Sequence, residues 1–573
     1  PSGHQLAAYL YIPQNATKDT PAPGVVTIEG WYNNKEMQDL YSIELARRGY
    51  VVLALDLHSH GDSESLSIAE LYDGAVGVDG AVQLIASLPY VDTARIGVTG
   101  HSSGGTAANM AVEIDNSRET PLIAAVLQQA GDWQDDTGGD HSGDYGSRSV
   151  GIIASTHDDF YFGTYDDAGN MLTNPVAFME TDGAKKFLNF NEDGFAGIAE
   201  GGKYYTRDFD GKTAYRVIYR PNMIHPLVAF STTCVGYAVD FFDTTLGAPK
   251  PLPASDQIWP IKAVFNSLGV IGLLIFMVSF TLVLLDTPVF SALRSGEIVQ
   301  PAPVQDSGAK AWYWVLLIIG AVFSGSSFLF CMNTVYSKTT NFFVQTGPLT
   351  IGTWAALCGI FAIFCSAVFY GAYGKKHGWS ARRAGLYLNL EQLWKTIALA
   401  VIVIVVSFGL VFAAHYFFQV DYRMYVVAFK TFGADKVLIA LRYLPFFLLF
   451  YVMNSISANC FNYNTIGGKN GNILIFAFFN ALGAIFVVAS QYIYFYATGY
   501  QLYGLTEGQR IGPIWLFPCM VLLFVTPIMS RIIYKRTRNP YIAGLINAMF
   551  IVMISCSNTT TILGGGELIA TTF

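Results

Sequence analysis

The hydrophobic pattern changes character about two-fifths of the way along the chain. Up to residue 246, short β-branched or apolar runs alternate with amphipathic stretches: strands are expected at 24–29, 51–57, 95–99, 123–128, 150–155 and 215–219, with helices running to Arg48 and over 74–88, 106–114 and 227–246. Strands that are apolar on both faces and separated by helices predict a largely parallel, doubly wound sheet, with its chemistry at the carboxyl ends of the strands. From residue 259 the pattern becomes a series of apolar runs of spanning length. Eight are expected, at about 259–285, 311–333, 349–371, 393–418, 436–456, 472–499, 512–530 and 541–560, each near the ~20 residues that cross ~30 Å of hydrocarbon. The Pro-rich stretch 249–258 reads as an extended linker. The expected organisation is therefore 1–248, an α/β domain; 249–258, a linker; and 259–573, an all-α transmembrane bundle.

Charge sharpens that division. Residues 1–250 carry 15 Lys and Arg against 33 Asp and Glu, and residues 251–573 carry 19 against 9. An acidic first domain argues against a nucleic-acid partner, because phosphate binding needs clustered Lys and Arg. The loops after the first, third, fifth and seventh spans hold eleven Lys and Arg, and those after the second, fourth and sixth hold five. By the retention of positive charge in the cytoplasm, the first domain is expected outside, in a multi-pass protein of the cell membrane. The sequence begins at Pro1, so a translocated domain would need a signal or anchor segment before it. Only Cys234 of the seven cysteines lies in the first 250 residues, and cysteine usage does not identify the compartment. Arg442, Asn454, Asn459, Asn480, Gln491 and Asn558 are polar residues within the spans, read as a snorkelling arginine and interhelical hydrogen bonds rather than a transport path.

One motif carries candidate chemistry. Gly100-His101-Ser102-Ser103-Gly104-Gly105 follows the 95–99 strand and precedes a helix of small residues. Glycines two positions either side of the serine permit a tight strand-to-helix turn that exposes the hydroxyl and aims the helix N-terminus at developing negative charge. With this motif, the stretch Asp56–Ser63 and the strand order, residues 5–247 resemble the α/β-hydrolase superfamily, most like its dienelactone-hydrolase and esterase/lipase branch. The resemblance implies Ser102 as nucleophile in place of the dienelactone-hydrolase cysteine. It implies His225, which follows the last strand, as general base rather than His141 or His157. For the acid that orients the base, it implies Asp158, with Asp159 next and Asp132 a third position. The oxyanion donors it implies are the backbone amides of Ser103 and Trp31. The chain departs from the family in carrying Glu29-Gly30 where relatives commonly carry His-Gly.

An aromatic-rich insertion at about 160–212 separates acid from base. It is expected as a lid over the site, the alternative being a mini-core of its own. Asp132, Asp135, Asp136, Asp140 and Asp144 crowd one Gly-rich loop without EF-hand spacing and read as a solvated acidic loop. No cofactor or metal is expected. The expected activity is hydrolysis of a carboxylic ester, small or lipid-derived, through a Ser-His-Asp acyl-enzyme at the outer face of the bilayer. Alternatives are a serine peptidase or acyltransferase using the same residues, or a transporter-like protein whose hydrolase-fold domain only binds. Eight spans exceed what anchoring requires, which points to a lipid substrate, a transported product or an oligomer.

Overall fold

The structure is a computed structural model and describes residues 3–135, 139–165, 171–297, 299–304 and 306–567. The first domain is built on an eight-stranded sheet: β1 (Ala8–Tyr11), β2 (Ala22–Ile28), β3 (Val51–Leu55), β4 (Val91–His101), β5 (Ile123–Gln129), β6 (Ser149–Ile153), β7 (Tyr205–Phe209) and β8 (Lys212–Tyr219). Their order is β1-β3-β2-β4-β5-β6-β8-β7. The outermost strands β1 and β7 pair antiparallel, and the other pairs are parallel. Every residue of β2, β3 and β6 is buried, as expected of strands covered by helices on both faces. Helices α1 (Asp39–Arg47) and α4 (Thr232–Leu246) pack on one face, where Tyr41, Phe241 and Phe242 meet Val25, Val52 and Leu127. Helices α2 (Val78–Ser87) and α3 (Ser103–Asn116) pack on the other.

The direction of the strand order reverses between β2 and β4, which opens a crevice at their carboxyl ends. The helix expected at 74–88 is interrupted, because Gly74, Ala75, Val76 and Gly77 all take positive φ and only Val78–Ser87 continues regularly. The two antiparallel edge strands were not expected. β1 is half exposed, and β7 lies inside the stretch expected as a lid.

Among its described residues, the second part contains eight helices long and apolar enough to cross a membrane. They are α5 (Trp259–Leu285), α6 (Ser307–Thr334), α7 (Thr346–Phe369), α8 (Leu390–Phe418), α9 (Ala434–Ile456), α10 (Gly468–Thr498), α11 (Glu507–Thr537) and α12 (Pro540–Ser557). Helix α12 is the most enclosed, with 78% of its apolar window buried. The loops after α6, α8 and α10, and the chain after α12, all touch the first domain: Tyr336 meets Tyr32, Arg423 meets Asn34, Gln501 meets the carbonyl of Asp159, and Thr560 meets His60. The bundle therefore presents one end to the first domain, and the remaining loops lie at the other.

The polar residues within the spans are engaged in hydrogen bonds. Asn454 donates to Asn480 at 2.6 Å, Asn480 to the carbonyl of Leu523, Gln491 accepts from the amide of Tyr503, and Arg442 donates to the carbonyl of Phe342. Asn459 accepts from Arg531 at 2.8 Å, and Asn558 joins Asn34 of the first domain.

Candidate active site

Ser102 stands at the β4–α3 turn with φ 55° and ψ −124°, an uncommon conformation for a residue with a side chain. Its amide donates to the carbonyl of Gln129 at 2.8 Å, and its carbonyl accepts from Gly105 and Thr106 at the start of α3. The flanking glycines are required sterically. A Cβ at Gly100 would lie 2.2 Å from the backbone of Gly104, and one at Gly104 would lie 2.2 Å from the carbonyl oxygen of Glu29. The loop after β2 also passes close by, since a Cβ at Gly30 would lie 2.9 Å from the carbonyl oxygen of His101 and 3.2 Å from the Cβ of Ser102. That approach brings Trp31 and Ser103 to the cavity that Ser102 faces.

Asp158 and His225 meet because β6 and β8 are parallel neighbours. The loops leaving their carboxyl ends are joined by hydrogen bonds from Thr156 to Pro221 and from His157 to Met223. Nδ1 of His225 lies 2.9 and 3.0 Å from the two carboxylate oxygens of Asp158. The same carboxylate accepts from the Ser155 hydroxyl and from the amides of Phe160 and Tyr161. With Nδ1–H committed to a fully buried carboxylate, Nε2 of His225 is the nitrogen left to accept a proton. The imidazole is enclosed by the rings of His101, Phe160 and Tyr161, at centroid distances of 4.8, 4.9 and 5.9 Å. Burial lowers His101 to about 3, so that ring is neutral. Ser102 and His225 line one cavity; among the described residues no hydrogen bond joins the Ser102 hydroxyl to the ring.

The other two acids do not touch the His225 ring. Asp159 is buried, and burial, reinforced by the neighbouring Asp158 charge, raises its carboxyl well above the usual range. Asp132 accepts from the amide of Gln134 at 2.9 Å, and burial pushes it up to about 6. In the acidic loop, Asp135 and Asp144 are tied to His141 at 3.0 and 2.8 Å; Asp136 lies outside the described residues. Among the described residues no group of three His, Cys, Asp or Glu side chains is placed to hold a metal.

The stretch 160–212, expected as a lid, reaches the cavity at its first residue. Among the described residues, Phe160 is the one aromatic residue of this stretch that lines the cavity. Phe162 packs on Phe178, while Trp133 stacks with Phe178 and Phe187, and these rings join the core that the sheet forms with α2 and α3. The segment ends as edge strand β7. The roof comes instead from the membrane helices: the cavity, of about 260 Å³, is walled by Trp354 of α7, Phe447 and Phe450 of α9, Trp515 and Leu523 of α11, and Ile551 of α12. Cys358 lies twelve residues into α7, so the cavity reaches about 18 Å along that helix. No local sequence signal announces this pairing of a soluble-type crevice with a bundle hundreds of residues away.

The turn after β3 has a related structural role. His60 stacks on Trp31 at 4.8 Å, accepts no charge because burial lowers it to about 4, and contacts the Thr560 hydroxyl at 3.1 Å. The segment after α12 thereby braces the loop that carries Trp31.

Comparison with known proteins agrees with the fold. Residues 2–143 match the family described as X-Pro dipeptidyl-peptidase (S15 family). The uncharacterized protein PA2218 of Pseudomonas aeruginosa is 35% identical over 117 residues, covering 20% of this chain and 31% of that protein. The match thus spans about a third of the curated relative. Among solved structures, Est1E from Butyrivibrio proteoclasticus, bound to ferulic acid, is 15% identical with a TM-score of 0.28 and covers 43% of this chain and 96% of that one. A dienelactone hydrolase from Anabaena variabilis is 16% identical with a TM-score of 0.27, covering 42% and 92%. The first domain is an α/β-hydrolase-fold domain, and a helical region with eight candidate membrane-spanning helices follows it.

Proposed function

We propose that this chain is a membrane-embedded serine hydrolase that cleaves carboxylic esters with an apolar acyl group at the outer face of the bilayer. The observation that carries the reading is the Asp158–His225 hydrogen bond opening on the same cavity as Ser102, a cavity whose far walls are membrane helices. Ser102 Oγ attacks the ester carbonyl carbon while Nε2 of His225 takes its proton. The amides of Ser103 and Trp31 hold the oxyanion, with the N-terminus of α3 behind it. The alkoxide leaves with the proton from His225. Water then attacks the acyl-enzyme by the same route and releases a carboxylic acid.

The acyl chain would lie along α7, α9, α11 and α12. A depth of about 18 Å resembles one leaflet of a bilayer whose hydrocarbon is ~30 Å thick. The positive charge in the loops remote from the hydrolase domain supports placing that domain outside.

A peptidase is the second reading. It is favoured by the match of residues 2–143 to the X-Pro dipeptidyl-peptidase family. Profiling the purified full chain on acyl esters of increasing length and on aminoacyl-proline amides separates the two. Ester turnover that rises with chain length and disappears in Ser102→Ala supports the first reading; turnover of the amides alone supports the second.

A further inference from the structure

A second cavity, of about 480 Å³, lies between α6, α7, α9 and α10. It shares Cys358 and Phe450 with the Ser102 cavity and runs from them to the end of the bundle remote from the hydrolase domain, where Arg383 and His377 line it. Its inner walls are apolar and aromatic, with Leu317, Phe361 and Phe479 among them. Its outer end is polar and cationic. His377 stands 3.7 Å from Asp306, whereas Arg383 makes no ion pair among the described residues.

The cationic character extends behind the wall. Arg531 is 2% exposed, and its guanidinium donates to Asn459, Asn472 and the carbonyl of Ala458, all neutral acceptors. The guanidinium also lies 3.9 Å from the centroid of the Tyr463 ring, and Tyr463 lines the cavity. A buried guanidinium balanced by no carboxylate among the described residues projects positive potential into its surroundings, and a cavity of low dielectric screens it little.

We propose that this second cavity binds a single-chain anionic amphiphile, with its head at Arg383 and Tyr463 and its chain directed towards Cys358 and Phe450. A cationic mouth over an apolar shaft fits a carboxylate or phosphate head on one hydrocarbon chain. The shared wall at Cys358 and Phe450 sets the chain end-on to the cavity of Ser102. The site does not depend on Ser102 being a nucleophile.

The native cysteines provide the test, since Cys365 lines this cavity, Cys519 lines the other, and both are half-buried. The full chain carrying Ser102→Ala, which cannot turn over an ester, is titrated with radiolabelled palmitate. Dodecyl phosphate serves as a phosphate-headed competitor and hexadecanol as a neutral control. Saturable palmitate binding is expected to slow maleimide modification of Cys365, whether or not occupancy of the Ser102 cavity also slows Cys519. Arg383→Ala should weaken palmitate by about fivefold and leave hexadecanol unchanged. Gly320→Trp, at a position where an added Cβ meets nothing within 4 Å, should abolish binding by filling the cavity. Competition by dodecyl phosphate would mean that the site accepts either anionic head, and its absence that the site selects carboxylate; both support the proposal. No saturable binding, protection of Cys519 in place of Cys365, or palmitate binding unchanged in both variants would overturn it.

Discussion

Ser102, at the end of a strand in the first domain, and Leu523, sixteen residues into a membrane-spanning helix, line the same cavity. The relationship gives the bundle a part in the cavity wall: Ser102 and His225 stand at one end, and apolar side chains of four helices enclose the other.

The acyl chain should be measured by the membrane helices. Each methylene buried contributes about 0.8 kcal/mol, or roughly fourfold in affinity. Cys519→Trp, placed on the α11 wall, is expected to lower kcat/KM for a long-chain ester by about tenfold or more while leaving an acetyl ester within about twofold. Equal losses on both substrates would contradict acyl binding in the bundle.

The three candidate acids should separate cleanly. Asp158→Asn removes the carboxylate that holds Nδ1–H of His225 and is expected to lower kcat by about 10⁴-fold. Burial and the neighbouring Asp158 charge raise the Asp159 carboxyl well above the usual range, and among the described residues no hydrogen bond joins it to the His225 ring, so Asp159→Asn should retain activity within a few-fold. Kinetics on the two variants, with circular dichroism to confirm folding, check this. A larger loss in Asp159→Asn would reassign the acid.

Much of this arrangement was legible in the sequence, for reasons that differ by element. The spanning helices declare themselves through runs of about twenty apolar residues, and the first begins and ends at Trp259 and Leu285 as expected. Ser102 stood out because a strand, two spaced glycines and a small-residue helix are all local signals, whereas Asp158 and His225, in the loops after their strands, were implied by the resemblance to the α/β-hydrolase superfamily. Three features had no such signal. Edge strand β7 is short and half polar, so nothing distinguished Tyr205–Phe209 from loop. The aromatic rings of 160–212 could pack over the cavity or on one another, and composition does not choose between these. The roof over Ser102 depends on contacts between residues more than 200 positions apart, to which neither hydropathy nor spacing responds.

Charge holds the two parts together at a point that can be cut. Lys430, in the loop between α8 and α9, is 1% exposed and lies 3.5 Å from Glu36 and 3.4 Å from Asp62 of the first domain. Its charge and that of Lys35 hold the Glu36 carboxyl well below the usual range, against the effect of burial. Lys430→Met leaves buried carboxylates short of a cation, at a cost of about 3–5 kcal/mol, and the thermal midpoint should fall by roughly 5–10 °C. An unchanged midpoint in the purified full chain would show that this contact contributes nothing.

Acid should loosen the loop that carries Trp31. Burial holds His60 neutral down to about 4, whereas an unfolded chain protonates the ring near 6.5. The folded pKa is depressed, so this contribution to stability is complete above pH 6.5 and is lost as pH falls from 6.5 towards 4. His60→Gln, which carries no titrating group, should show a shallower loss of thermal stability over that window, by about one proton in the slope. Parallel curves for the two proteins would show that His60 does not titrate between the folded and unfolded states.

The most direct test of the central claim is the mass of the full chain after reaction with a fluorophosphonate in native membranes. A single phosphonate, mapped by peptide sequencing to Ser102 and absent from Ser102→Ala and His225→Ala, is the predicted result. A chain that stays unmodified, or a label on another residue that survives Ser102→Ala, would contradict the assignment of Ser102 and His225 as nucleophile and base.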